Sequence, residues 1–104
     1  MTLNSIKIPG KIVNVEGTNH SGHEIFMFAI STCQWCKKGK AWMSEKGYTY
    51  SYVDIDKIPL EEKNKLKADL KDEFKTRLSF PFVIVDKREV SAGYNPSEWE
   101  ILLK

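Results

Sequence analysis

The run Phe26-Met27-Phe28-Ala29-Ile30-Ser31-Thr32-Cys33-Gln34-Trp35-Cys36-Lys37-Lys38-Gly39-Lys40-Ala41-Trp42-Met43 constrains this chain more than any other stretch. It opens with apolar, β-forming residues, passes two polar ones, and meets a Cys-x-x-Cys where helical spacing begins. This predicts a strand, a tight turn and a helix, with two thiols at the junction. Unpaired N–H groups of a helix's first turn, together with its dipole, stabilise negative charge, so a cysteine there ionises readily, and the thiolate is the reactive form. Cys33 stands just ahead of the helix and Cys36 three residues on, so the first sulfur can be exposed while the second packs beneath it. Cys33 is therefore the candidate nucleophile and Cys36 the resolving thiol. Lys37 and Lys38 add positive charge nearby and are expected to lower the Cys33 pKa further.

A chain of 104 residues with 41% hydrophobic and 29% charged residues fits one globular domain with a modest core. Sixteen basic against fourteen acidic residues leave a formal charge of +2, too near balance to argue for a nucleic-acid partner. The first ten residues lack the basic head and apolar stretch of a secretory signal, and no segment approaches the ~20 apolar residues that span a bilayer. The expectation is a soluble, cytoplasmic, monomeric protein with no membrane partner. In that compartment a close cysteine pair is catalytic, redox-sensing or metal-binding rather than a structural staple.

Along the chain, Lys11–Glu16 has a β-branched core and Gly17–Gly22 reads as a loop, followed by a strand from His23 to Ile30. Two strands flanking that link predict a hairpin, with the first strand antiparallel at the sheet edge. The first helix is expected from Gln34 to Lys46, with Gly39, Trp42 and Met43 facing the sheet and Gly47 ending it. Tyr48–Ile55 alternates aromatic and polar residues as a half-buried strand does, and the tyrosine stripe reads as packing. Pro59 suits a first helical turn, and Leu66, Leu70, Phe74 and Leu78 recur every four residues along one stripe of a second helix. Ser79–Asp86 reads as a strand entered through Pro81, Lys87-Arg88 as a turn, and Glu89–Ala92 as the returning strand. Asn95-Pro96-Ser97-Glu98 joins a cap, a proline at the first helical position and a glutamate three residues after the cap, and so starts a last helix whose inner face is Trp99, Leu102 and Leu103. The order β, β, α, β, α, β, β, α makes a mixed α/β sheet with helices on both faces.

Cys-x-x-Cys also serves zinc, which needs four ligands. His20 and His23 are the further donors of the usual kind. Against a structural zinc site stand the apolar content, sufficient to fold without metal, and the placement of the thiols at a strand-to-helix junction. The histidines read as exposed loop residues, and no metal ligand set is assigned.

The strand-Cys-x-x-Cys-helix, the Phe80-Pro81 dipeptide opening a hairpin, and Gly93 ahead of the final helix together resemble the glutaredoxins and the related NrdH redoxins, of thioredoxin fold. The resemblance runs from about Ile25 to the C-terminus. It implies a central mixed four-stranded sheet flanked by three helices, leaving residues 1–22 of a single domain spanning 1–104 as an N-terminal extension with an added edge strand and loop. It also implies a cis Pro81, attack by Cys33 on a substrate disulfide, and resolution by Cys36. Phe80, Pro81, Gly93, Tyr94 and Asn95 would line the groove for glutathione or a protein substrate, with Trp35 shaping the surface around the nucleophile. Glutaredoxins usually carry a lysine a few residues before the first cysteine, where this chain has Ala29-Ile30-Ser31-Thr32. Val90-Ser91-Ala92-Gly93-Tyr94-Asn95-Pro96 is similar to the Ser-Gly-aromatic-x-Pro ending of NrdH redoxins. The implied function is a thiol-disulfide oxidoreductase with no bound cofactor, acting on disulfide-containing proteins or glutathione mixed disulfides. Glutathione, as co-substrate, or another reductase would re-reduce it. The alternative is an iron-sulfur or zinc carrier using the same cysteines.

Overall fold

Alternation of inward and outward side chains along two central strands decides the architecture. The computed structural model describes residues 3, 6–19 and 22–104. Its strands are β1 (Val13–Val15), β2 (Ile25–Ala29), β3 (Tyr50–Asp54), β4 (Phe82–Val85) and β5 (Glu89–Ala92), and its helices α1 (Gln34–Glu45), α2 (Leu60–Phe74) and α3 (Pro96–Leu102). They form one sheet of order β1-β3-β2-β4-β5, in which β2 and β3 run parallel and the other neighbours antiparallel.

With apolar residues on both faces, β2 and β4 need cover on both sides. Phe28, Phe82 and Ile84 meet Leu66, Leu70 and Phe74 of α2 on one face. Met27, Ala29, Val83 and Val85 meet Cys36 and Met43 of α1, Trp99 of α3 and Leu103 just after it on the other. Each fully buried Val, Leu, Ile, Phe or Met among them contributes roughly 1.5–3 kcal/mol of burial, which sandwiches the sheet between α2 and the α1/α3 pair. Trp42 closes the seam between α1 and α3, edge-on to Trp99 at 5.3 Å and stacked on Tyr48 at 5.9 Å. Tyr50 and Tyr52 belong to this packing, with ring centroids 6.1 Å apart. No helix among the described residues is long and apolar enough to cross a membrane.

Four expectations change. β1 is antiparallel and at the edge, yet it pairs with β3 through Val13↔Tyr52 and Val15↔Tyr50 rather than forming a hairpin with β2. The reason is occupancy: β3 and β4 take both hydrogen-bonding edges of β2, so a three-residue strand goes to the outer edge of β3. The link then runs back along the end of α1, where Asn19 N–H donates to Gly47 O at 2.8 Å and Gly17 lies so close that a Cβ would sit 2.0 Å from that oxygen. Pro59 caps α2 instead of opening it, and Lys75, at φ +54°, ends the helix before Leu78, which packs on the core from the following loop. The fourth strand spans only Phe82–Val85, because Pro81 lacks an N–H and Asp86 and Lys87 both take positive φ to reverse the chain. Finally, the N-terminal extension is more than an edge strand, since Leu3 and Ile6 enter the α2-side core and Leu3 N–H reaches Lys87 O at 2.7 Å.

Candidate active site

The two thiols stand where β2 hands over to α1. A turn from Ile30 to Cys33, closed by Cys33 N–H to Ile30 O at 3.0 Å, brings Cys33 to the N-cap of α1. The Cys33 Sγ accepts the N–H of Cys36 at 3.4 Å, as a capping oxygen would. One turn into the helix, Cys36 is fully buried, and its Sγ accepts the N–H of Ile30 at 3.4 Å. Both cysteines are free, so the site is a dithiol, with each sulfur receiving a backbone N–H.

Their acidities diverge. Partial burial opposes ionisation of Cys33, but the N–H and thiol of Cys36 and the N–H of Trp35 outweigh it and hold Cys33 below an ordinary thiol. Burial pushes Cys36 up to about 12; the Cys33 sulfur raises it as well, while the Ile30 N–H and the Lys40 ammonium act the other way. One thiol thus ionises more readily than an ordinary cysteine, and the other is held protonated beneath it.

The lysine expectation needs correction. Neither Lys37 nor Lys38 is among the groups that shift either thiol. Both are exposed, where water screens their charge, and the Lys38 ammonium rests 4.5 Å over the Trp35 ring. The cation whose field reaches a thiol is Lys40, which acts on Cys36 and is paired with Asp54 of β3 at 2.9 Å.

Around the thiols the structure gathers most of the residues singled out from sequence. Trp35 is half exposed, its ring 5.6 Å from Tyr94, which meets Trp99 edge-on at 5.5 Å. The Phe80-Pro81 bond is cis. Continuing the β2/β4 register beyond Phe28↔Phe82 puts Phe80 beside Ile30 and Pro81 beside Ala29, next to the thiol turn. Gly93, at φ +84°, donates its N–H to both Ser79 O (3.1 Å) and Pro81 O (3.0 Å), which ties the end of β5 to the proline turn. Gly39 allows the close approach of α1, since a Cβ there would lie 3.0 Å from Pro81 Cγ and 3.2 Å from Trp99 Cη2. Asn95 acts as a cap, its Oδ1 accepting Glu98 N–H at 3.3 Å.

The histidines are elsewhere. His20 lies outside the described residues. His23 is not a free loop residue but half-buried, bonded to Asp86 at 2.7 Å and to the Lys104 carbonyl at 2.9 Å, at the start of β2. At about 3.3 Å per residue, β2 separates it from the thiol turn by roughly 20 Å, so the two cannot share an ion. Among the described residues no group of three or more His, Cys, Asp or Glu is placed to hold a metal.

Sequence reasoning missed two anchors. Asp56 accepts the N–H of Ser31 at 2.9 Å and its hydroxyl as well, which clamps the turn ahead of Cys33. The Lys40–Asp54 pair was legible in principle: Asp54 continues the inward stripe of Tyr50 and Tyr52, and Lys40 follows Cys36 by one helical turn.

Comparison with known proteins places this arrangement. The glutaredoxin family model matches residues 24–90. Glutaredoxin 1 of Rickettsia felis is 33% identical over 43 residues, which is 41% of this chain and 42% of that protein, so the chain is matched to less than half the length of this curated relative. Among solved structures, a glutaredoxin from Methanosarcina mazei superposes with a TM-score of 0.71 at 25% identity, covering 88% of this chain and 86% of that one. Methanosarcina acetivorans methanoredoxin gives 0.67 at 30% identity over 77% and 83%. A buckwheat glutaredoxin–glutathione complex shares the fold, with a TM-score of 0.63 at 16% identity over 78% and 70%.

Proposed function

The chain belongs to the glutaredoxin family, and from that premise we propose that it is a dithiol–disulfide oxidoreductase. The Cys33 thiolate attacks one sulfur of a substrate disulfide; that S–S bond breaks, and the departing thiolate takes up a proton. The Cys36 sulfur, having lost its proton, then attacks Cys33 Sγ, and the remaining substrate sulfur leaves as a thiol. Two electrons have moved to the substrate, and the protein holds a Cys33–Cys36 disulfide. Glutathione or a dedicated reductase returns the two electrons. The observation that carries this reading is the split in acidity between an accessible Cys33 on a helix N-terminus and a buried Cys36 at about 12.

Substrates are disulfide-bearing proteins or glutathione mixed disulfides. An extended segment lies against the backbone of Phe80, in the manner of an added strand, while its side chains rest on the Trp35–Tyr94 wall. The chemistry suits a reducing compartment such as the cytoplasm, and the protein acts as a monomer. The test is a Cys36→Ser variant exposed to oxidised glutathione and to a disulfide-bonded peptide. Accumulation of a mixed disulfide on Cys33 supports the reading. An unreactive Cys33, or stoichiometric iron with a visible absorption band in the purified parent, contradicts it.

A further inference from the structure

The second half of the reaction has a requirement that the thiols themselves do not meet. Cys36 lies in an apolar cluster with Met27, Ala29, Met43 and Val83, and there its sulfur must carry negative charge to attack Cys33. We infer that Lys40, held in place by Asp54, supplies the positive charge against which Cys36 ionises when it resolves the mixed disulfide. The inference rests on the oxidoreductase reading and adds a residue to it.

Three observations carry it. Lys40 follows Cys36 by four residues on α1, the spacing that places two side chains on one helix face. Its ammonium is turned inward to Asp54 Oδ1 at 2.9 Å and lies 4.0 Å over the Tyr52 ring, with side-chain exposures of 21% for Lys40 and 14% for Asp54. A largely desolvated ion pair is weak evidence of a stabilising role, because desolvation offsets most of the attraction. Its position on the thiol side of α1 has a better reason in chemistry. Asp54 pairs with Ala29 across the sheet, next to Ile30, whose N–H already points at the Cys36 sulfur.

Among the described residues, the ionisable groups that share the cluster of Cys36 are Cys33, Tyr48, Tyr50, Tyr52 and Tyr94, with Lys40 and Asp54 as the charged pair beside it. In the dithiol, the Cys33 sulfur raises the pKa of Cys36 and Lys40 lowers it. Once Cys33 is bonded to a substrate sulfur, its charge is gone, and Lys40 and the Ile30 N–H remain to favour the Cys36 anion. The Cys36 proton passes to water and ultimately to the substrate thiolate released when the mixed disulfide breaks. Lys40 keeps its own proton throughout and acts by its field, with Asp54 as the residue that positions it.

The experiment separates the two steps by rapid mixing with a disulfide-bonded peptide. Lys40→Met, which keeps the stem and removes the charge, should leave mixed-disulfide formation within about twofold of the parent. It should slow resolution several-fold at neutral pH and move the pH midpoint of that step upward. Lys40→Arg should restore the parental rate. Resolution at the parental rate and midpoint in Lys40→Met, or equal slowing of both steps, would overturn the inference while leaving the oxidoreductase reading intact. Failure of the parent and of Cys36→Ser to form any mixed disulfide would overturn both.

Discussion

The two ends of β2 use the same materials for opposite purposes. At its start, His23 bridges the Asp86 carboxylate and the Lys104 carbonyl, and Asp86 also accepts the Glu24 N–H at 2.9 Å while its own N–H goes to Glu24 O at 2.7 Å. Both partners of His23 are acceptors, so only the imidazolium satisfies both at once. The Lys104 carbonyl and the Asp86 carboxylate accordingly raise the His23 pKa, and the Glu24 N–H and His23 hold Asp86 low. At the far end, the first turn of α1 faces the Cys33 sulfur through the Cys36 N–H at 3.4 Å, while the Ile30 N–H reaches the buried Cys36 sulfur at 3.4 Å. A hydrogen-bonded histidine–carboxylate pair fastens the sheet at one end, and a thiol that ionises readily stands at the other.

The comparison breaks most visibly at Cys33. Cys33→Ser should abolish disulfide reduction while leaving the melting temperature within a few degrees; His23→Gln should do the reverse, lowering the melting temperature with turnover unchanged. Loss of turnover in His23→Gln would join the two ends functionally and contradict the division.

Next in size is Gly39→Ala, which tests how tightly the thiol end is packed. Overpacking against Pro81 and Trp99 costs about 1–3 kcal/mol, and alanine's helix preference returns about 1. A net loss of up to roughly 2 kcal/mol by denaturant titration is expected, together with slower attack by Cys33 on the peptide disulfide because Pro81 shifts.

The clasp at the His23 end has a pH signature. His23 is raised, so its contribution is fully present below the ordinary value of 6.5 and fades as pH rises through the folded value. Asp86 is lowered, so its contribution is present above 3.8 and fades as pH falls through its folded value. The difference in melting temperature between parent and His23→Gln should therefore be largest between these two values and shrink on either side. Asp86 is 46% exposed, so solvent screening keeps the pair below about 1 kcal/mol.

The smallest effect belongs to Asp56. Hydrogen bonds from the Ser31 hydroxyl and N–H hold this carboxyl below its usual range, and Asp56→Asn weakens the clamp on the turn before Cys33. A small loss of melting temperature, with Cys33 alkylation at neutral pH within about twofold of the parent, is expected.

How much of this was legible follows from distance along the chain. The strand–turn–helix at Cys33 and the Asn95 cap at Glu98 N–H are written within a few neighbouring residues, and local signals name them. The partner of β1 depends instead on which edges β3 and β4 leave open, which no stretch near Val13 encodes. The same holds for Ser31 with Asp56, 25 residues apart, and His23 with Asp86, 63 apart, since polar residues in loops carry no periodicity that marks a mate. Leu3 and Ile6 lacked a pattern long enough to betray a core position.

The central claim is that the start of α1 makes the sulfur at position 33 acidic. Ultraviolet titration of the thiolate in Cys36→Ser tests it without any substrate. A single ionisation clearly below the ~8.5 of a free cysteine is predicted. A midpoint at or above that value would contradict the account.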